Sequence, residues 1–286
     1  MKVYKRCHHR VYAIYTPGKR STHTIISSTG KTAYLIYNSN HLIILKMSHS
    51  HQEVDLDRPL IEYEHDMRDL AEELSHLLSD RSRHLSSTQR TVLEEYRSSK
   101  SVYKIREDSR IPEDDKIIAY VNLFNKLIFQ GTLGGRVALE LESESHYYKR
   151  AITKVIDGFA IITIWSQDWI RDPKERLQRY LGIVLHEMTH AFLRIYGCPD
   201  CRSRPDWQGK SGHGHAWQDL ILAIQESVED PGFLGLDLAL NRLGSLQIEL
   251  CRGGTLPSDA SRRWGFTREE IRLAQRGIPG DFEDYV

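Results

Sequence analysis

Two short runs hold the side chains best suited to chemistry: His186-Glu187-Met188-Thr189-His190, and Gly212-His213-Gly214-His215-Ala216-Trp217. Histidines four apart on an α-helix project from nearly one face, because 3.6 residues per turn brings i and i+4 into register. His186 and His190 can therefore share one metal ion. Glu187 sits beside that pair and can take a proton from water without being a ligand itself. A catalytic Zn²⁺ keeps three protein ligands and one open position. His213 is the preferred third ligand, since Gly212 and Gly214 flank it without side chains and let its imidazole approach the helix. His215 competes, and spacing does not separate the two. Another class of zinc peptidase takes a glutamate from the following helix, where Glu226 and Glu229 stand, although such glutamates are more often a polar helix face. Three neutral imidazoles on zinc bring the pKa of water at the fourth position toward about 7. Glu187 then serves as general base and afterwards as acid. The plainer alternatives are two core histidines bonded to backbone, and a zinc that only stabilises the fold.

The element that must position this pair reads clearly. Asp172 is an N-cap, Pro173 occupies the first helical position, and Glu175 completes a capping-box pattern. Leu177, Leu181, Val184, Leu185, Met188, Phe192 and Ile195 recur at helical spacing until Gly197 stops the run. Such a helix is roughly 36 Å long at about 1.5 Å per residue, enough to cross a small domain. Unpaired polar groups on its buried surface cost on the order of 1–3 kcal/mol each, so His186, Glu187 and His190 must be satisfied by partners. Residues 217–229 form an amphipathic segment with Leu220, Ile221, Ile224 and Val228 inward.

Taken in order, these parts resemble the SprT-like metallopeptidases. Tyr120 to Leu133 is similar to the family's opening segment "LxxxLNxxxFxGxL". The strand-like run Ala160 to Trp165, followed by Ser166 and Trp169, resembles the stretch before its active-site helix. The H-E-M-T-H-A and G-H-G-x-x-W motifs complete the match, which spans residues 114–230. The resemblance implies an α+β zincin-like catalytic domain with an active-site helix and a small sheet. It implies zinc at His186, His190 and His213, with Glu187 as catalytic acid and base of peptide-bond hydrolysis. It also implies protein substrates associated with or crosslinked to DNA. Two departures stand out. The segment from His190 to His213 is long and contains Cys198-Pro199-Asp200-Cys201, and with Cys251 alone after the motifs a four-cysteine ribbon is excluded by count.

Lysine plus arginine equals aspartate plus glutamate at 39 each, so the whole chain lacks the basic field of a dedicated nucleic-acid binder. Any DNA contact would rest on a local patch such as Arg202, Arg204 and Lys210. Four cysteines and no apolar run near twenty residues give the expectation of a soluble intracellular protein, nuclear or cytoplasmic, with no membrane partner. Cys198 and Cys201 could recruit Cys7 or Cys251 to a metal, form a redox-sensitive disulfide, or stay reduced in a loop. Nine histidines precede residue 85, His8, His9, His49 and His51 among them, without a recurring ligand spacing.

Before residue 47, short β-like runs at Thr24–Ser27, Ala33–Tyr37 and Leu42–Leu45 alternate with turn signals and predict a small meander. A helix is expected from Asp57 to Ser79, and residues 79–101 read as a linker or a weak helix. Composition suggests three regions: 1–110 as an N-terminal β/α region, 111–250 as the metallopeptidase domain, and 251–286 as a tail. The tail's short helix opens at the box Thr267 to Glu270 and stops at Gly277.

Overall fold

The computed structural model describes residues 22–26, 32–38, 41–44, 51–80, 85–99, 113–144, 150–201 and 204–276, the first three segments as backbone only. Contacts divide the chain into Met1–Gln52 and Glu53–Val286. In the first unit β1 (Thr22–Ile26), β2 (Thr32–Asn38) and β3 (His41–Ile44) form an antiparallel sheet in chain order. This is the expected meander, each strand within two residues of its reading. Cys7, His8, His9, His49, Arg202 and Gly277 lie outside the described residues.

The second unit is mixed α+β, built around α4 (Pro173–Tyr196). Asp172 Oδ1 accepts the Glu175 N–H at 2.7 Å, Pro173 opens the helix, and the N–H of Gly197 reaches Leu193 O at 3.0 Å. The span, the Asp172 N-cap and the stop at Gly197 are those the sequence predicts. From Tyr180 to Tyr196 every residue but His186 and Arg194 is buried, so α4 is a central helix and not a surface one.

On one side α4 packs against a three-stranded sheet of β4 (Val137–Glu142), β5 (Ala151–Ile156) and β6 (Phe159–Trp165). The central strand β6 runs parallel to β4 and antiparallel to β5. Ala160, Ile162 and Ile164 alternate as its buried face, the period of two that a half-buried strand requires. Asp157 and Gly158 join β5 to β6 with φ of 48° and 74°, the two left-handed positions of a two-residue hairpin turn.

The other sides of α4 are covered by α1 (Met67–Ser79), α3 (Glu113–Leu127) and α6 (His215–Glu229). α1 begins ten residues later than Asp57. Asp66 caps it through the Arg68 N–H at 2.8 Å, and the preceding chain instead pairs with the end of α4, Tyr63 N–H to Ile195 O and His65 N–H to Tyr196 O. Within 79–101 lies a true helix, α2 (Ser87–Ser98), opened by a reciprocal Ser86–Gln89 capping box. Its Val92 and Leu93 enter the same core as α4, as do Leu70 and Leu74 of α1. Composition suggested a break near residue 110, whereas α1 and α2 pack with the unit that contains the motifs. The segment after α3 wraps the far end of α4: Asn125 Oδ1 accepts the Leu133 N–H, Phe129 packs on Phe192, and Tyr196 Oη donates to Thr132 O at 2.6 Å.

Beyond the short α5 (Arg204–Gln208) and α6 come α7 (Arg242–Cys251), α8 (Ala260–Trp264) and α9 (Arg268–Arg276). Leu246, Ala260, Trp264, Phe266 and Ala274 form a second, smaller core there. The expected box holds α9: Thr267 N–H donates to Glu270 Oε2 at 2.7 Å, and Glu270 N–H donates to Thr267 Oγ1 at 3.2 Å. Among the described residues no helix is long and apolar enough to cross a membrane.

Candidate metal centre

His186 and His190 lie one turn apart on α4 with ring centroids 5.0 Å apart, and His213 arrives from the loop that precedes α6. His213 Nε2 stands 3.1 Å from Nε2 of His186 and 3.1 Å from Nε2 of His190. Nitrogens about 2 Å from one ion at tetrahedral angles are roughly 3.3 Å apart, so the three fit a single small divalent cation. Trp217, fully buried on the first turn of α6, floors the cluster, with its ring 4.7 Å from those of His186 and His213 and stacked on His190.

The outer nitrogens settle the tautomers. His186 Nδ1 is 3.1 Å from the carbonyl oxygen of Leu240, which can only accept, so that nitrogen carries the proton. His213 Nδ1 is 2.9 Å from Ser211 Oγ, and the serine hydroxyl donates to Glu249 Oε2 at 2.6 Å, so it accepts from His213. In their neutral forms both rings therefore turn Nε2 lone pairs toward each other at 3.1 Å, an arrangement that a cation between them stabilises. Burial first, then the neighbouring imidazoles and Arg194, holds His190 well below the usual histidine range. Burial, His186, Arg194 and Arg252 do the same to His213. Near neutral pH both are uncharged, the state a metal ligand needs.

Glu187 is buried beside the histidines, and its Oε2 accepts from Thr153 Oγ1 on β5 at 2.6 Å. Arg194 Nη1 donates to the Thr153 carbonyl at 3.0 Å, tying the same strand to α4 about two turns further on. These groups sit in a cleft of about 310 Å³ between β5, α4, the 211–213 loop and α7. Arg150, Arg179 and Arg194 line it, and Glu187 is its one carboxylate among the described residues. A Cβ on Gly182 would meet Ala239 O at 2.6 Å, so this glycine lets residues 239–241 pass close enough to α4 to reach His186.

All four residues read from the motifs are brought together. His215 is not: its Nε2 faces Thr255 O at 3.3 Å, and its ring packs on Trp207 and Trp264, because on the first helical turn it points away from α4. Glu226 and Glu229 are exposed on α6 outside the cleft, with Glu229 accepting from Gln225. Cys198 and Cys201 are buried thiols just beyond α4 and form no disulfide. Burial, then the adjacent Cys198 and the Asp66 and Asp200 carboxylates, pushes the Cys201 thiol up to about 12. Cys251 is exposed at the end of α7. Sequence reading passed over Thr153, Ser211, Leu240 and Glu249. The Asp157-Gly158 turn signal could have exposed β5 and its threonine. Glu249 has no local signal, since 36 residues separate it from His213. Comparison with protein-family models, curated proteins and solved structures finds no match.

Proposed function

We infer that the protein is a zinc-dependent peptidase of SprT-like type on a zincin-like scaffold, with His186, His190 and His213 as ligands and Glu187 as proton carrier. The observation that carries this reading is the convergence of three imidazole Nε2 atoms beside a buried carboxylate in an open cleft. Neutral imidazoles suit zinc among the common divalent ions, and three of them leave a position open. When bound, zinc supplies a Lewis acid that polarises a carbonyl and acidifies water.

The chain's own groups do the rest. Thr153 engages Oε2 of Glu187, which fixes the carboxylate and leaves Oε1 to take a proton from the attacking water. The same oxygen then delivers that proton to the departing amine nitrogen. Substrate lies along β5: Trp165 N–H donates to Arg150 O, so the ladder with β6 alternates from there and Ala151 turns its N–H and C=O to the other side. Ala151 lines the cleft, where an extended peptide can pair with it. The three cleft arginines favour substrates in anionic surroundings, the condition met by DNA-associated proteins.

Metal analysis with a casein-cleavage assay, with and without single-stranded DNA, tests the reading on wild type and Glu187→Gln. One zinc per chain is expected in both, with cleavage reduced about 10²–10⁴-fold in the variant. Near wild-type cleavage by Glu187→Gln would remove its role. Activity unchanged by DNA would remove the DNA-associated substrate class while leaving the peptidase.

A further inference from the structure

Glu249 is a carboxylate at 1% exposure on α7, outside the ligand set, and its environment is unusually specific for a structural side chain. It accepts the Lys210 N–H at 2.6 Å, the Ser211 N–H at 2.8 Å and the Ser211 hydroxyl at 2.6 Å. Three donors from two consecutive residues make it the anchor of the loop that delivers His213. Gly209 and Gly254 are shaped around it: a Cβ at either position would collide with the Glu249 carboxylate. With φ of 78° at Gly209 and 91° at Gly212, the loop also takes left-handed turns on both sides of the anchored pair.

From this arrangement we propose that Glu249, acting through Ser211, is the positioning residue for the third ligand. The proposal rests on the zinc site inferred above. A carboxylate can only accept, so it fixes the direction of the Ser211 hydroxyl; that hydroxyl must then accept from His213 Nδ1. The imidazole is held in one tautomer and one orientation, with Nε2 aimed at the nitrogens of His186 and His190. Through the serine, the buried carboxylate also raises the basicity of the imidazole toward a cation. His186 is oriented by a backbone carbonyl, that of Leu240, which substitution of its side chain does not remove. Of these two contacts, the Glu249–Ser211 chain is the one that truncating a partner side chain removes. It places α7 in charge of the loop's geometry, so the C-terminal elements contribute to the centre without touching it.

Zinc dissociation constants, measured by competition with a chromophoric chelator on the full chain, test this for wild type, Ser211→Ala, Glu249→Gln and the double variant, with melting of each metal-free protein alongside. Each single variant is expected to bind zinc about 10- to 100-fold more weakly. The double variant should be no more than about threefold weaker than the worse single one, because either change cuts the same path. Ser211→Ala removes one hydroxyl and keeps the test available if Glu249→Gln does not fold. Replacement of the metal by Co²⁺ gives an independent reading, with the visible ligand-field bands of Ser211→Ala shifted from those of wild type. Wild-type zinc affinity in folded Ser211→Ala, or a lowered melting temperature with unchanged affinity, overturns the proposal. Failure of the site itself looks different: wild type then binds no zinc, or His213→Ala binds it as tightly as wild type.

Discussion

At the scale of single residues, two imidazoles of the centre, those of His190 and His213, are kept neutral by their surroundings. His190 and His213 are depressed below the ordinary histidine value, chiefly by burial. In the unfolded chain both titrate near pH 6.5. Above that pH neither state binds the protons, and the stability associated with these residues is fully present. As pH falls through about 6.5 the unfolded state takes up protons that the folded state refuses, so stability is lost, by up to about 1.4 kcal/mol per pH unit for each histidine. Chemical denaturation of chelator-treated protein from about pH 7.5 to 5 should show this slope, and His213→Asn should show a shallower one. Equal slopes would mean that His213 is not held neutral. The motif residues themselves were legible because their spacing is a property of the helix. Thr153, which engages Glu187, was not, because its role depends on which strand lies against α4.

Among the elements, α4 carries most of the site, and it is in close contact with the segment before α7. Gly182 has its Cα where any side chain would strike the Ala239 carbonyl, and the next residue along that segment, Leu240, orients His186. Gly182→Ala should therefore cost about 1–3 kcal/mol through overpacking, although alanine is the better helix former by about 1 kcal/mol at an unconstrained position. The same substitution should weaken zinc binding, since the segment must move away from α4. Thermal melting with zinc titration checks both, and a stabilised variant would contradict the close approach. The ends of α4 were readable from Asp172, Pro173 and Gly197, because caps act within a few residues. The start of α1 was not, because Tyr63 and His65 give their N–H groups to the carbonyls of Ile195 and Tyr196, partners far away in the chain.

Across the second unit as a whole, the half-buried carboxylate of Asp219 is one of the ties that bind the C-terminal elements into the body. Asp219 on α6 accepts both from the guanidinium of Arg263 and from Trp264 Nε1, the latter at 2.8 Å. Asp219→Ala leaves these donors unpaired at the edge of the second core, with an expected cost of about 1–3 kcal/mol. At about 2–4 °C per kcal/mol for a body of this size, a melting shift of several degrees follows. Zinc affinity should remain within a few-fold, because the hydrogen bonds of Asp219 among the described residues go to Arg263 and Trp264 and not to the ligand-bearing loop. A variant that melts with wild type would show that the second core does not depend on this anchor. The region read as a tail is thus part of the packed body through residue 276, with Trp264 and Phe266 as its buried contributions.

Helical period, capping and small-residue punctuation are local properties, so the motif-bearing helix with its two histidines and glutamate was readable from the sequence, together with His213 and His215 as candidates for the third ligand. The sequence also predicted the N-terminal meander from its turn residues. Tertiary structure alone decided between His213 and His215, removed Glu226 and Glu229 from the cleft, and brought Thr153, Leu240 and Glu249 to the motif from distant segments. The reason is physical: ligands on one helix share a face by geometry, whereas the groups that hold and orient them are chosen by how separate elements pack, and packing leaves no periodic trace in the chain.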